Sequence, residues 1–339
     1  IVVFMENIMN NIQCRERFEQ ISADVEDILK VEQLLKPYPV EAIVDCDVFS
    51  CIDDLLIRWI VERLCDEDIG AALKDMSIPE ICAFRKSKHF APKYAGVYDM
   101  LSCAYTMIKD AKYAGKQDAD TMIRQYREKD YLIDANHRWF YVYFDQLDER
   151  EPYAQLRQLV ENIYTNEYLN PICVAWNTAY RACDSTVLGI PQQRRFYNRY
   201  LNTKNRAKTV VFISDALRYE VGVELMNRLS NDPNCATIKM EAMLSVLPSI
   251  TKTGMAALLP HKELSLGDGK VLADGRPTAQ TTQREAILQA ADADARCYLF
   301  EDLDRMGYAE LNEAFKGVST IYIYHNQIDA RGDKALTEH

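Results

Sequence analysis

The amino-acid sequence predicts an α/β protein, a mostly parallel sheet flanked by helices and preceded by an all-helical region. Three observations carry this expectation. As far as about residue 110, apolar residues recur at helical spacing with little alternation. Beyond the polar break Asn202-Thr-Lys-Asn-Arg-Ala207, short β-branched and aromatic runs alternate with helical stretches, the pattern of a covered parallel sheet. The first of those runs, Val210 to Ile213, ends abruptly at Ser214 and Asp215 and passes into a helical pattern. The 339 residues suit two domains, with 1–205 as the helical region and 206–339 as the α/β part.

In the first region Phe18, Ile21, Val25, Ile28 and Leu29 keep one helix face, and so do Leu55, Ile57, Ile60, Val61 and Leu64, with Pro37, Pro39, Pro79 and Pro92 as punctuation. Aromatics crowd the stretch from Tyr126 to Leu201, among them His137, Trp139, Phe140, Phe144, Tyr164 and Tyr168. Such a stripe either packs between helices or stacks on nucleobases. Arg194-Arg-Phe-Tyr-Asn-Arg-Tyr200, with Lys204, Arg206 and Lys208, is the one segment suited to phosphates. In the second region Val210 to Ile213 has the composition of a buried strand, and Leu217, Val221, Val223, Leu225, Met226 and Leu229 form a helix face. Further strands are expected over 235–242, 296–300 and 320–324, helices over 283–291 and 308–315, and a long polar loop over 267–277.

The composition, 48% hydrophobic and 27% charged, is that of a globular protein, and no apolar run reaches the length of a membrane span. A net charge of −11 argues against a generally basic, nucleic-acid-coating surface, so any nucleic acid is met locally. The ten cysteines include no Cys-x-x-Cys pair and lie in largely apolar segments, as expected of free thiols in a reducing cytoplasm. A chain that starts at Ile1 and stops soon after an acidic motif has the look of a piece of something longer.

Three segments carry chemistry. Asp215 lies at the carboxyl end of a strand, where open α/β sheets bind ligands; the same acid also suits a helix N-cap. Leu247-Pro-Ser-Ile-Thr-Lys-Thr-Gly254 sets Ser249, Thr251 and Thr253 at the start of a small-residue helix, as nucleophile, phosphate contact or caps. Tyr324-His-Asn-Gln-Ile-Asp-Ala-Arg-Gly-Asp333 holds Asp329 and Asp333 four residues apart with His325 upstream, which is either a ligand or a hydrogen-bonding residue. Carboxylate and imidazole donors suit zinc, manganese or magnesium, and two acidic strand ends with a hydroxyl loop between them are the parts of a metal-assisted phosphoryl site. Lys252 and Arg218 are placed to bind phosphate, although Arg218 has Glu220 and Glu224 as candidate salt-bridge partners.

These three segments, in this order, closely resemble the PglZ family of the alkaline phosphatase superfamily, found in BREX bacteriophage-defence systems. Tyr131-Leu-Ile-Asp-Ala-Asn-His-Arg-Trp-Phe140 resembles the helical segment preceding the PglZ core. The resemblance implies that Asp215 is a metal ligand, that Thr251 is the nucleophile of a covalent mechanism, and that Asp329 and Asp333 hold one or two divalent ions. Asp333 stands where the superfamily's Asp-x-x-Gly-His pattern has His, which shifts the expected preference from two zincs towards manganese or magnesium. The pattern's later Asp-His pair and final His are not reached, so this stretch alone is expected to be catalytically impaired. The implied function is phosphodiester or phosphomonoester hydrolysis in the cytoplasm, with DNA or a nucleotide as substrate and other BREX components, including a DNA methyltransferase, as partners. The alternative is a non-catalytic scaffold binding that methyltransferase or DNA.

Overall fold

A computed structural model of the chain describes all residues except 114, 116, 184–188, 203–207 and 336–339. Most of the polar break expected to separate the domains, with Lys204 and Arg206, therefore lies outside the described residues. The chain divides into two compact units, Ile1–Ser185 and Thr186–His339.

The first unit is helical apart from a small hairpin. Its strands β1 (Ala72–Leu73) and β2 (Met76–Ser77) are joined by Lys74 and Asp75, both at positive φ, 49° and 64°, the turn geometry that matches strand twist. Ser77 then caps the helix Ile78–Arg85. Glu80 accepts from the Ser77 N–H at 2.8 Å, and Pro79 occupies a position where no helical N–H is needed.

The helix Cys51–Cys65 crosses the core of this unit, burying Ile52, Leu56, Ile60 and Leu64. Each such side chain contributes about 1.5–3 kcal/mol of transfer free energy. The one charge it buries, Asp53, receives Arg85 Nε and Nη2, both at 2.8 Å, and the Tyr98 hydroxyl at 2.6 Å. Arg85 Nη1 also donates to the carbonyls of Val44 and Cys46, tying the segment before this helix to the core. The aromatic stripe is helix packing: Phe140, Phe144 and Tyr168 are buried, and the His137 ring stacks on Tyr164 with centroids 3.7 Å apart.

In the second unit β3 (Thr209–Ser214), β4 (Leu264–Gly267), β5 (Lys270–Ala273), β6 (Arg276–Pro277), β7 (Arg296–Leu299) and β8 (Thr320–His325) form two sheets. The parallel sheet runs β3-β8-β7, with β8 central and its residues 320–324 buried. Tyr322 and Tyr324, with Val211, Ile213 and Leu259, share one apolar cluster; Ile321 and Ile323 pack with Leu303 on the other face. Covered on both faces, β8 reads as a continuous apolar run.

Four expectations need correction. β3, at the edge of the sheet among the described residues, is covered on one face only, so burial alternates along it: Val211 and Ile213 pack inward, while Val210 is 43% and Phe212 62% exposed. The following helix, Tyr219–Leu229, buries only Glu220 and leaves Leu225 and Leu229 exposed. Residues 235–242 form no strand; nearby only Leu244 bridges, pairing with Gln192. The expected polar loop over 267–277 is most of an antiparallel meander, β4-β5-β6. Asp268-Gly269 and Asp274-Gly275, all at positive φ, make its two-residue turns.

No helix among the described residues is long and apolar enough to cross a membrane. No disulfide joins any of the cysteines among the described residues.

Candidate active site at the carboxyl ends of the parallel strands

The β3–β8 register sets Ser214 opposite His325, so the two neighbouring strands end together. The ladder runs one step further, where the Asp215 N–H donates to the His325 carbonyl at 3.0 Å. Ser214 Oγ lies 2.9 Å from His325 Nδ1, and the Phe300 ring meets the imidazole edge-on, which together fix its plane. This Ser–His contact has little signal in the sequence, because the two residues meet only through strand register.

Immediately after Asp215 the chain turns through Ala216 at φ 59°, a left-handed conformation unusual for a residue with a Cβ. The turn lets the Ala216 N–H donate to Asp215 Oδ1 at 3.1 Å. Oδ2 of the same carboxylate is buried and has no hydrogen-bond partner. Asp215 does not cap the following helix; Arg218 is the N-cap residue, with extended backbone and no side-chain cap bond.

Asp329 and Asp333 lie one turn apart on the helix Gln327–Ala335 that follows β8. The Asp329 carboxyl is pushed above its ordinary range, first by desolvation and then by the negative charges of Asp215 and Asp333. The three acids thus share one electrostatic neighbourhood.

Thr251 and Lys252 open the helix Thr251–Ala257, and both are exposed. This helix packs on the sheet through Met255, Leu258 and Leu259, and the Tyr322 hydroxyl donates to the Leu258 carbonyl at 2.8 Å. Thr253 is 3% exposed, and its Oγ1 is buried without a partner. Arg218 is exposed and forms no ion pair among the described residues; Glu224, one of its expected partners, is held by Arg228 at 2.9 Å.

The residue that sequence reasoning missed is Gln193. Its Nε2 donates to the Gly254 carbonyl at 3.4 Å, and its Oε1 accepts from the Val246 N–H at 3.3 Å. Backbone bonds from Gln193 N to Leu244 O and from Leu244 N to Pro191 O complete the clasp. One side chain therefore holds both ends of the hydroxyl loop, and no local spacing announces a contact made across roughly sixty residues of chain.

Residues 194–339 match the family described as "BREX system PglZ alkaline phosphatase-like domain". This stretch of the chain belongs to the PglZ family. The chain is also 32% identical over 348 residues, all of its own length, to the "Alkaline phosphatase-like protein PglZ" of Bacillus cereus (strain H3081.97). It is 28% identical over 361 residues, 99% of its length, to the "Alkaline phosphatase-like protein BrxZ" of Escherichia coli O9:H4 (strain HS). It spans 40% and 41% of the lengths of those relatives. No solved structure matches the chain.

A divalent ion implied by the PglZ family suits the donor chemistry here. The unpartnered Asp215 Oδ2 and the carboxyl of Asp329, crowded by two other acids, are oxygen donors lacking a counter-charge. Among the described residues, no three His, Cys, Asp or Glu side chains converge closely enough to complete a coordination shell.

Proposed function

We propose that this chain carries part of a metal-dependent phosphoric-ester hydrolase of a BREX phage-defence system, acting in the cytoplasm on a phosphodiester such as DNA or a nucleotide. The observation that carries the reading is the buried, unpartnered Asp215 Oδ2 in the same electrostatic neighbourhood as Asp329, at the carboxyl ends of adjacent parallel strands. Asp215, Asp329 and Asp333 are the residues to hold one or two ions of zinc, manganese or magnesium, with His325 as a further donor oriented by Ser214. When bound, such an ion neutralises phosphate charge.

Thr251 Oγ then attacks phosphorus. The new O–P bond forms as the bond to the ester oxygen breaks; that oxygen keeps the electron pair and leaves as an alcohol, the proton lost by the Thr251 hydroxyl balancing the one it gains. Water cleaves the phosphoryl- or nucleotidyl-threonine and restores the hydroxyl. Lys252 and Arg218 bind the non-bridging oxygens, and the absence of an ion pair on Arg218 among the described residues supports its part. Other BREX components, a DNA methyltransferase among them, are the expected partners.

The lack of three converging ligands among the described residues favours a second reading, a scaffold that binds the methyltransferase or DNA without catalysis. Thr251→Ala separates the two. For a hydrolase, metal-dependent cleavage of bis-nitrophenyl phosphate by the full-length protein falls at least about 100-fold while melting temperature holds. Unchanged cleavage removes Thr251 from the chemistry. Unchanged phage resistance in the same variant leaves the scaffold.

A further inference from the structure

Within the second unit, and apart from the acidic strand ends, a cleft of about 490 Å³ is lined by Ile190, Pro191, Gln192, Arg195, Asn198 and Arg199. Its charge is opposite to that of the whole chain, which is −11. Arg195 is exposed, and its guanidinium forms no ion pair or hydrogen bond among the described residues. Arg194 Nε donates to Gln192 Oε1 at 2.7 Å, fixing one wall. The Arg199 guanidinium is oriented at one edge: Nε donates to the Tyr200 hydroxyl at 3.2 Å and Nη2 lies 3.8 Å from Glu241. Glu241 is shared with Lys239 at 2.6 Å. One carboxylate thus stands against Arg194, Arg195, Arg199 and Lys239, and the cleft keeps an excess of positive charge.

The cleft is built onto the hydroxyl loop. Gln193, between Gln192 and Arg194, is the residue that bonds both Val246 N–H and the Gly254 carbonyl, on either side of Thr251. Two arginines, the two amides of Gln192 and Asn198 and the apolar lining of Ile190 and Pro191 match a phosphodiester with its sugar better than a bare inorganic anion.

We infer that this cleft is a phosphate subsite for a nucleic-acid strand, gripping through Arg195 and Arg199 a phosphate of the chain remote from the one presented to Thr251. The inference rests on the hydrolase reading and narrows its substrate from a phosphodiester in general to a nucleic-acid strand, and it is tested without turnover. A Thr251→Ala protein in chelator is titrated with a fluorescein-labelled single-stranded DNA 12-mer across salt concentrations, with and without Arg195→Ala/Arg199→Ala.

The expected result is a loss of at least about 10-fold in affinity. The slope of log affinity against log salt should become shallower by about 1.4, two contacts at about 0.7 each for single strands. Arg195→Lys/Arg199→Lys should keep most of the slope, which a purely structural role for the arginines would not produce. Equal affinity and slope in parent and double-alanine protein, with both folded by thermal melt, overturns the subsite, and so does a parent that does not bind. Binding that follows this pattern alongside unchanged hydrolysis in Thr251→Ala keeps the subsite and removes only the catalytic reading.

Discussion

Ala216 holds a left-handed backbone that a Cβ disfavours by about 1–2 kcal/mol, and it does so beside the acid at the centre of the candidate site. What that conformation secures is the N–H bond to Asp215 Oδ1, which leaves Oδ2 as the carboxylate's unpartnered atom. Ala216→Gly should therefore raise stability by about 0.5–1 kcal/mol, the relief of strain less the entropy glycine adds to the unfolded chain. A urea midpoint that moves up checks this; one that moves down would show that the turn carries no strain. The same scale explains why Asp215 was ambiguous in the sequence. An acid between a strand and a helix suits both an N-cap and a ligand, and only the extra turn through Ala216 and Leu217, which moves the cap to Arg218, separates the two.

At the scale of elements, the irregular segment from Cys235 to Leu244 forms no strand, and the Leu244 bridge to Gln192 and the contacts of Glu241 fasten it. Glu241 accepts from Lys239 and from the Tyr200 hydroxyl, and pairs with Arg199. The Lys239 bond, then the Tyr200 bond, hold its carboxyl down to about 2, against an ordinary value of 4.5. A carboxylate depressed on folding contributes stability that is present above its unfolded value and is lost as pH falls through the folded one. The contribution should thus fade between about pH 4.5 and 2. Glu241→Gln should flatten that part of the acid-unfolding curve and leave it unchanged near neutrality relative to its own plateau; an identical acid limb in both proteins would refute the coupling.

Legibility followed the same division by element. Strands β3, β7 and β8 are readable because parallel strands are dense in β-branched and aromatic residues, and the helices Tyr219–Leu229, Thr281–Ala291 and Tyr308–Ala314 because apolar residues recur in them at helical spacing, whereas Phe300–Leu303 and Gln327–Ala335 carry no such signal. The β4-β5-β6 meander reads as a loop because its strands are only two to four residues long and its turns are polar, although its two Asp-Gly pairs are the turn signal for hairpins. Residues 235–242 alternate like a strand but have no neighbouring strand to pair with. In the candidate site, the acids and hydroxyls were legible as residue types at sheet ends and helix starts. Ser214 against His325 and the Gln193 clasp were not, since each depends on which distant segments become neighbours.

The whole molecule comprises two units that each carry an apolar core. In the helical unit one cluster runs from Met5 to Tyr168 and encloses the Asp53–Arg85 pair. Such a core is sufficient for independent folding. Residues 1–183 expressed alone should show a cooperative thermal transition by circular dichroism; a non-cooperative melt would mean that the core needs the rest of the chain. The second unit, by contrast, closes its sheet through residues far apart in sequence: Ser214 and His325 are separated by 111 positions. A ribosome adding about 5–20 residues per second delivers His325 roughly 5–20 s after Ser214. For that interval β3 has been made but β8 has not, and Phe212 has no sheet beside it. The candidate site, which needs both strand ends, therefore cannot exist in a newborn chain until β8 has been made.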